Sequence, residues 1–486
     1  KGECPVCHTA DQYGDSCENC GATYTPDKLI NPISTISKTP PVWRESEHYF
    51  FKLGNFTDVL RQWLESGGAQ QAEVSLSQDT GFAANVRLGE VETVERTNDQ
   101  GVAVTVYVGQ RKGTASTADL RPESLRETVA QACAIARYTE ADAASGLAEA
   151  ERLADKPMDF DLWHPIELSA EQGIELALEC EAAGLGQAGI SNSDGAAFNS
   201  GRSTAVYANS LGFYGAERST HYSLSCSLIA GKDSAMQRDY WYSTALLFDG
   251  LDSARSIGLK AAERTAARLN PRSVKTGQYP VLFAPELARG LIGSFLGAVS
   301  GGNLYRQASF LQDSIGRRIF PEWLDLYENP HIARGLRSAW FDAEGVATSA
   351  SAIVSGGIIQ RYLLGSYSAR KLGLQSTGNA GGVHNLFAKA NAGDLQSLIN
   401  NMGTGLLVTE LMGQGVNTLT GDYSRGAAGF WVENGEIQYA VDELTIAGNL
   451  AQMLPAIEAV GDDVDKRSHI QIGSLLIGSM TVAGND

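Results

Sequence analysis

Cysteine is scarce and unevenly placed: seven residues in 486, four of them within the first 20 and none after Cys226. That distribution excludes a disulfide-stapled secreted framework and fits a reducing compartment with one metal knuckle. The seven histidines, His8, His48, His164, His221, His331, His384 and His469, include no two four residues apart. No helix can therefore offer the paired imidazoles of a zincin. Long apolar runs are missing too. The longest near a helix, Gly290 to Val299, is about half a bilayer span and reads as a buried helix. Positive charge is short: 38 Lys+Arg against 56 Asp+Glu leave a net −18, with no dense basic run. Such a field repels phosphate backbones and argues against nucleic-acid or anionic-membrane binding. No basic-then-apolar segment opens the chain, so a cytoplasmic location is expected; Lys1 in place of Met fits a truncated or engineered start. There is no P-loop, and Ala208–Gly212 (ANSLG) misses the first glycine of a nucleophile elbow. Gly184–Gly189 (GLGQAG) has dinucleotide-loop spacing but follows a helix, where glycines end helices.

What is present begins with Cys4, Cys7, Cys17 and Cys20, spaced C-x2-C-x9-C-x2-C. Two CxxC turns each present a thiolate pair, and the nine-residue loop lets the pairs converge tetrahedrally on zinc. Four sulfur ligands leave no open position for water, so the site is structural. At 43% apolar and 19% charged, with 53 glycines, the rest is a turn-rich globular chain long enough for two to four domains.

Alternating runs between Ala72 and Thr117 (AEVSLSQ, FAANVRL, VETVE, VAVTVYV) predict an antiparallel meander. Pro122 starts a predicted helix that runs through Tyr138. Ser169 opens a capping-box pattern, S-x-x-Q, ahead of a second helix. Tyr222, Leu224, Cys226 and Leu228 alternate with serines as a half-buried strand does. A third helix is predicted near Asp252–Leu269. Beyond Gly277, the strand YPVLFA leads into a helix at Pro285, and strands then dominate, IVSGGIIQRYLL and GFWVENGEIQYAV among them. Asn434-Gly435 marks a type I′ hairpin. The fold class expected is α+β: a small zinc knuckle over residues 1–66, an α/β region over 67–275, and a β-rich C-terminal domain over 276–486.

The run from Gly403 to Asn449, GTGLLVTELMGQGVNTLTGDYSRGAAGFWVENGEIQYAVDELTIAGN, resembles the C-terminal core of the TldD/PmbA family, once called modulators of DNA gyrase. That family has two paralogues: one with a zinc-peptidase HExxxH helix, the other (PmbA/TldE-type) with the scaffold alone. Against the active pattern LLHEAxGHxxEGxxxR, this chain has LIGSFLGAVSGGNLYR at Leu291–Arg306. The resemblance puts Gly293 and Ala298 at the two ligand positions and Ser294 at the general base. None binds zinc or activates water, and no late cysteine replaces the third ligand. The resemblance therefore implies a non-catalytic subunit of a cytoplasmic zinc-metallopeptidase complex that processes unfolded peptides. Its implied partner is the HExxxH paralogue in a heterodimer, a homodimer being the form open to the chain alone. No zinc is expected in residues 67–486. His384, in a glycine-rich loop, and Asp422, Tyr423 and Arg425, beside glycines, are candidate peptide or partner contacts; packing or a solvated ion pair is an equal alternative.

Residues 1–66, including RESEHYFFKLGNF, resemble the zinc-knuckle insert of methionyl-tRNA synthetase without that enzyme's HIGH-type or KMSKS-type motifs. Aminoacylation is not implied. The text changes near Ser66, which reads as a join made in gene assembly or by engineering. A synthetase-derived zinc-binding or tRNA-related module is the alternative function. Six Lys/Arg against nine Asp/Glu in that segment weigh against it.

Overall fold

The computed structural model describes residues 1–12, 17, 19–22, 28–33, 40, 62 and 66–484. The stretch RESEHYFFKLGNF lies outside the described residues, as do Leu64 and Glu65 of the expected junction. The chain divides into two compact units, Lys1–Leu60 and Arg61–Asp486.

The larger unit opens on an antiparallel six-stranded sheet: β1 (Gln71–Arg87), β2 (Glu90–Val108), β3 (Arg111–Thr117), β4 (Ile190–Asn209), β5 (Tyr214–Ala230) and β6 (Gln237–Ala245), ordered β3-β2-β1-β4-β5-β6. The predicted meander is there, but four short runs have fused into two long strands. Asp79–Gly81 and Asn98–Gly101, turn-like in composition, pair with each other across the ladder (Asp79 with Asp99, Gly81 with Thr97) instead of turning. The turn falls at Leu88-Gly89, both at positive φ (53° and 79°). The buried Glu181 carboxylate clamps it, accepting both backbone N–H groups at 2.8 and 2.9 Å.

One face of this sheet is apolar. It packs on α2 (Ala170–Leu185) and α3 (Ala254–Ala267), while α1 (Pro122–Tyr138) covers β2 and β3. Phe198, Tyr222, Leu224, Cys226 and Leu228 belong to this core with Ala177, Cys180 and Ile257. The capping box at Ser169 forms as expected: its hydroxyl accepts from the Gln172 amide and the Gln172 side chain accepts from the Ser169 amide, a cap worth about 1 kcal/mol. The two helices approach to backbone contact at Gly258, where a Cβ would lie 1.9 Å from the Cys180 carbonyl oxygen. Gly184–Gly189 ends α2 and continues into β4, as a helix stop does.

Beyond residue 276 the chain is strand-rich: β7 (Gly277–Phe283), β8 (Leu326–Glu328), β9 (Ser351–Ser355), β10 (Ile358–Ile359), β11 (Leu386–Ala388), β12 (Gly405–Met412), β13 (Asp422–Glu433), β14 (Glu436–Asn449), β15 (Ile457–Val460), β16 (Ile470–Gln471) and β17 (Leu475–Ala483). The order β14-β13-β12-β7-β17-β15, with β14 also paired to β17, curls this sheet into a ring. The β13–β14 hairpin turns at Asn434 (φ 54°) and Gly435 (φ 76°), the type I′ signature. IVSGGIIQRYLL departs from the strand reading. Gly356 and Gly357, both at positive φ, break it into the short β9 and β10. Helix α4 (Pro285–Ala298) follows β7 directly and buries Leu291, Ile292, Phe295 and Leu296 in the main core.

Candidate functional site

Helix α4 carries Gly293, Ser294 and Ala298, the positions that the sequence comparison sets against the family's metal site. Ala298, its last residue, is fully buried in the core. Gly293 lies on the opposite side, where a Cβ would meet nothing within 4 Å. Five residues at 100° each separate the two by about 140° around an unbroken helix. The Ser294 hydroxyl donates back to the Gly290 carbonyl of its own helix at 3.0 Å. These residues hold no donor set for a metal, and their side-chain directions diverge. They do not fit a catalytic zinc.

Two cavities are floored by the second face of the large sheet, and the first of them lies against α4. That face is built from small and polar residues: Ser75 and Ser77 on β1, Ser203 and Ala205 on β4, Ser219, Ser223, Ser225 and Ser227 on β5. Ser225 and Ser227, which alternate with Leu224 and Leu228, thus line a cavity and do not simply face bulk water.

The first cavity, about 630 Å³, runs between Ser225–Ser227, Tyr240–Tyr242, the first turn of α4 and Thr409–Leu411 of β12. Thr409 is the extra residue of a bulge against β13, and bulges re-aim side chains beside sites. Every arginine here has a carboxylate partner. Arg238 meets Asp194 at 3.1 Å, Arg264 meets Glu286 at 2.7 Å, Arg289 meets Asp465 at 3.5 Å, and Arg467 meets Asp465 at 2.9 Å. The Arg467 guanidinium also stacks between rings, 3.9 Å from the Trp241 centre and 4.4 Å from that of Tyr242. This is a cross-linked wall joining β6 to the C-terminal region.

The second cavity, about 640 Å³, lies between Ser75, Ser77, Ala205, Glu217 and Ser219 of the sheet and the segments Leu336–Ala343 and Ala380–His384. Burial pushes Glu217 up to about 7, although the nearby His384 and the Trp340 amide oppose the shift. Burial likewise lifts Asp342 to about 6, against three backbone N–H donors, those of Ala380, Glu344 and Val346. Sequence reasoning missed both acids. The available signal was on β5, where Glu217 is the one carboxylate among the residues alternating with its buried positions.

His384 borders this cavity, but it is anchored and not free in a loop. Its Nδ1 lies 2.9 Å from Oε1 of buried Glu328, and its backbone N–H donates to the same oxygen at 2.6 Å. Arg361 and Asn379 complete that network. Burial would raise Glu328, but the His384 hydrogen bond and the Arg361 charge hold it below the usual carboxylate range. Asp422, Tyr423 and Arg425 stand on strand β13. The Tyr423 ring is buried in the core. Asp422 bonds to Thr420 and Asn449, and Arg425 donates to the Met412 carbonyl at 3.3 Å. Among the described residues, hydrogen bonds inside the fold and no ion pair hold Asp422 and Arg425. The structure does not bring them together with His384 around either cavity.

In the smaller unit the four cysteine sulfurs lie within 4.8 Å of one another. Cys4 and Cys20 are 3.8 Å apart, Cys7 and Cys17 3.4 Å. Sulfurs at about 2.3 Å from a tetrahedral zinc would be spaced by just under 4 Å. The two turns are built alike. The His8 and Gly21 amides donate to the Cys4 and Cys17 carbonyls at 3.1 and 2.9 Å, and His8 and Gly21 both take positive φ. The Val6 and Cys7 amides point at the Cys4 sulfur, at 3.4 and 3.5 Å. The Thr9 hydroxyl and amide pull the Cys7 thiol down to about 5. The donor set fits a tetrahedral metal ion.

Comparison with known proteins decides the family. A family model described as the PmbA/TldA metallopeptidase C-terminal domain matches residues 276–484, and one for the central domain matches 163–269. A Metalloprotease PmbA homolog from Haemophilus influenzae is 47% identical over 424 residues, 87% of this chain and 94% of that protein. The chain belongs to the PmbA/TldD family. Metalloprotease PmbA from Escherichia coli O157:H7 is 48% identical over 422 residues, 87% of this chain and 94% of the relative. A crystal structure from Bacteroides thetaiotaomicron, described as a modulator of DNA gyrase, superposes with a TM-score of 0.83 at 28% identity, covering 89% of this chain and 99% of its own. TldE from Thermococcus kodakarensis, at 21% identity and a TM-score of 0.77 over 89% of this chain and all of its own, shares the fold. At the other end, the model for class I tRNA synthetases (M) matches residues 1–110. A methionine–tRNA ligase from Acidithiobacillus ferrooxidans is 57% identical over 83 residues. That match takes in 17% of this chain and only 12% of the ligase.

Proposed function

We propose that this PmbA/TldD-family chain is the non-catalytic subunit of a zinc-metallopeptidase complex acting on unfolded peptides, with an HExxxH-bearing paralogue as its partner. The observation carrying this reading is α4: its ligand and base positions are Gly293, Ser294 and Ala298, while the helix keeps its core-facing residues Leu291, Ile292, Phe295 and Leu296. A helix stripped of metal donors yet packed intact is what a subunit needs when it serves assembly and leaves the chemistry to its partner. The small polar floor of the large sheet suits an extended chain, whose backbone needs hydrogen-bonding partners along its length. Zinc in the knuckle would sit on Cys4, Cys7, Cys17 and Cys20 and hold the small unit's turns together. The complex is read as cytoplasmic.

Mixing the purified chain with its HExxxH paralogue tests the reading. The expected result is a stable heterodimer whose cleavage of an unfolded peptide a chelator abolishes, with the present chain inert alone. Chelator-sensitive cleavage by this chain by itself, free of contaminating peptidase, would overturn it. The synthetase-derived alternative gains no support beyond its first segment, since the ligase match takes in only 12% of the ligase.

A further inference from the structure

Charge is arranged differently in the two cavities. Around the first, all four arginines are paired with carboxylates. Around the second, Glu217, Asp342, Arg218 and Arg337 all line the wall, and among the described residues no ion pair involves any of them. Each cationic group there has another contact. The Arg218 guanidinium lies over the Trp163 ring, 5.2 Å from its centre. Arg337 reaches toward the Gly381 carbonyl at 3.4 Å. His384 keeps its 2.9 Å contact with Glu328. Glu217 is left with a single backbone donor, the Trp340 N–H, and no ion-pair partner among the described residues, only the opposing charge of His384, which is held by Glu328.

We propose that this cavity binds an alkylammonium group, a lysine side chain or a peptide's amino terminus, with the Glu217 carboxylate as its counter-charge. The assignment rests on the peptide reading above and narrows it. Space for such a group is built into the sheet register. Level with Glu217, the neighbouring strands present Ala205, Ser77 and Gly101 in turn. One register step away, Ser219 faces Ser203. Glu217 therefore rises beside a low floor that leaves its carboxylate open to the cavity. Leu162, Val206, Leu246 and Phe341 border the same space. That collar suits a methylene stem, as lysine lays its stem on apolar surface and keeps its charge at a polar end. The net charge of −18 draws cations toward the protein. An ammonium closing on Glu217 makes a charge-assisted hydrogen bond, the stronger kind.

Calorimetric titration of the full chain at pH 8 tests this with four probes. Three are nonapeptides of glycine and serine: acetylated with a central lysine, acetylated with norleucine there, and the norleucine peptide with a free amino terminus. The fourth is 1,4-diaminobutane. At least one ammonium-bearing peptide should bind about tenfold or more tightly than the neutral one, and whichever gains shows which ammonium is read. That advantage should vanish in Glu217→Gln. It should vanish also in Ala205→Lys, which brings an internal ammonium from the facing strand and keeps the carboxylate. Circular dichroism checks that both variants fold. An advantage that survives Glu217→Gln overturns the proposal. Equal binding of charged and neutral peptides removes this site and leaves the peptide reading standing. Glu217-dependent binding of 1,4-diaminobutane without any peptide binding keeps the cation site and removes the peptide reading. No binding by any of the four removes both.

Discussion

Replacing Glu217 by glutamine should stabilise the protein in alkaline solution and do so far less in mild acid. The carboxylate sits half-buried on β5, and burial lifts it from the usual 4.5 to about 7. His384 partly offsets that burial, while Arg218, Arg337 and Asp342 share the cavity without pairing to it. An acid raised on folding favours the folded state fully only below its unfolded value, and the benefit is lost as pH rises through the folded one. At pH 8 the wild type must therefore hold an ionised carboxylate in a poorly hydrated place. At 1.36 kcal/mol per unit the lift corresponds to at most about 3 kcal/mol. Water entering the open cavity screens the charge, which reduces the expected gain to about 1–2 kcal/mol. Glutamine keeps an oxygen for the Trp340 N–H and removes the charge. Paired thermal melts at pH 8 and pH 5 measure the difference, with all other titrating groups common to both proteins. The variant should melt on the order of 2 °C higher at pH 8, given how little one kcal/mol moves a unit this large. At pH 5, where folded wild-type Glu217 is protonated but the unfolded chain is already mostly ionised, the difference should shrink to about a quarter of its pH 8 value. An equal shift at both pH values would trace the effect to packing and refute the electrostatic account.

Glu181→Ala strips the β1–β2 turn of the carboxylate that accepts from Leu88 and Gly89, leaving two orphaned amides and a cavity. Chemical denaturation should record a loss of about 3 kcal/mol, and a loss below about 1 would show the clamp to be dispensable. A Cys4→Ser/Cys7→Ser chain should lose about one zinc per molecule by elemental analysis, with the transition of residues 67–486 unmoved; retained zinc would place the metal elsewhere. Limited proteolysis should cut first between about Leu64 and Gln71 and release a folded large fragment, whereas first cuts within 100–250 would misplace the join. Gly293→His with Ala298→His should bind no catalytic zinc and should destabilise the fold. The first site is open and the second has no room, an overpacking of about 1–3 kcal/mol; a stable, zinc-loaded variant by melting and metal analysis would contradict the helix geometry.

Local chemistry made much of the fold legible. Pro122, the Ser169 box and Asn434-Gly435 each act through a short-range mechanism, a preset φ, a cap or a left-handed turn, and each formed where expected. The failures have one physical origin: tertiary pairing overrode local composition. Asp79-Thr80-Gly81 looks like a turn until Asn98–Gly101 lies opposite it and the ladder carries both through. Ile353 to Leu364 looks like a long strand, but two glycines at positive φ stop it after Ser355, and the chain turns back to pair Ile358–Ile359 against Ser355 and Val354.

The candidate site was legible by what α4 lacks and illegible by what the sheet collects. Text alone shows that Gly293, Ser294 and Ala298 offer no metal donors; it does not show that they face different ways. Conversely, Glu217 is one acid among many in an acidic chain until the register sets Ala205, Ser77 and Gly101 beside it and the folded segment at Trp340 comes down over it. Asp342 is similar: its carboxylate is surrounded by amides from residues 344, 346 and 380, two of them local and one distant. Tyr423 fails in the opposite sense, a polar-looking residue beside glycines whose ring the ring-closed sheet has taken into the core. A residue's neighbours along the chain therefore forecast caps and turns well. The exposure and charge environment of an acid depend on strands arriving from over a hundred residues away, and that is where a binding role is decided.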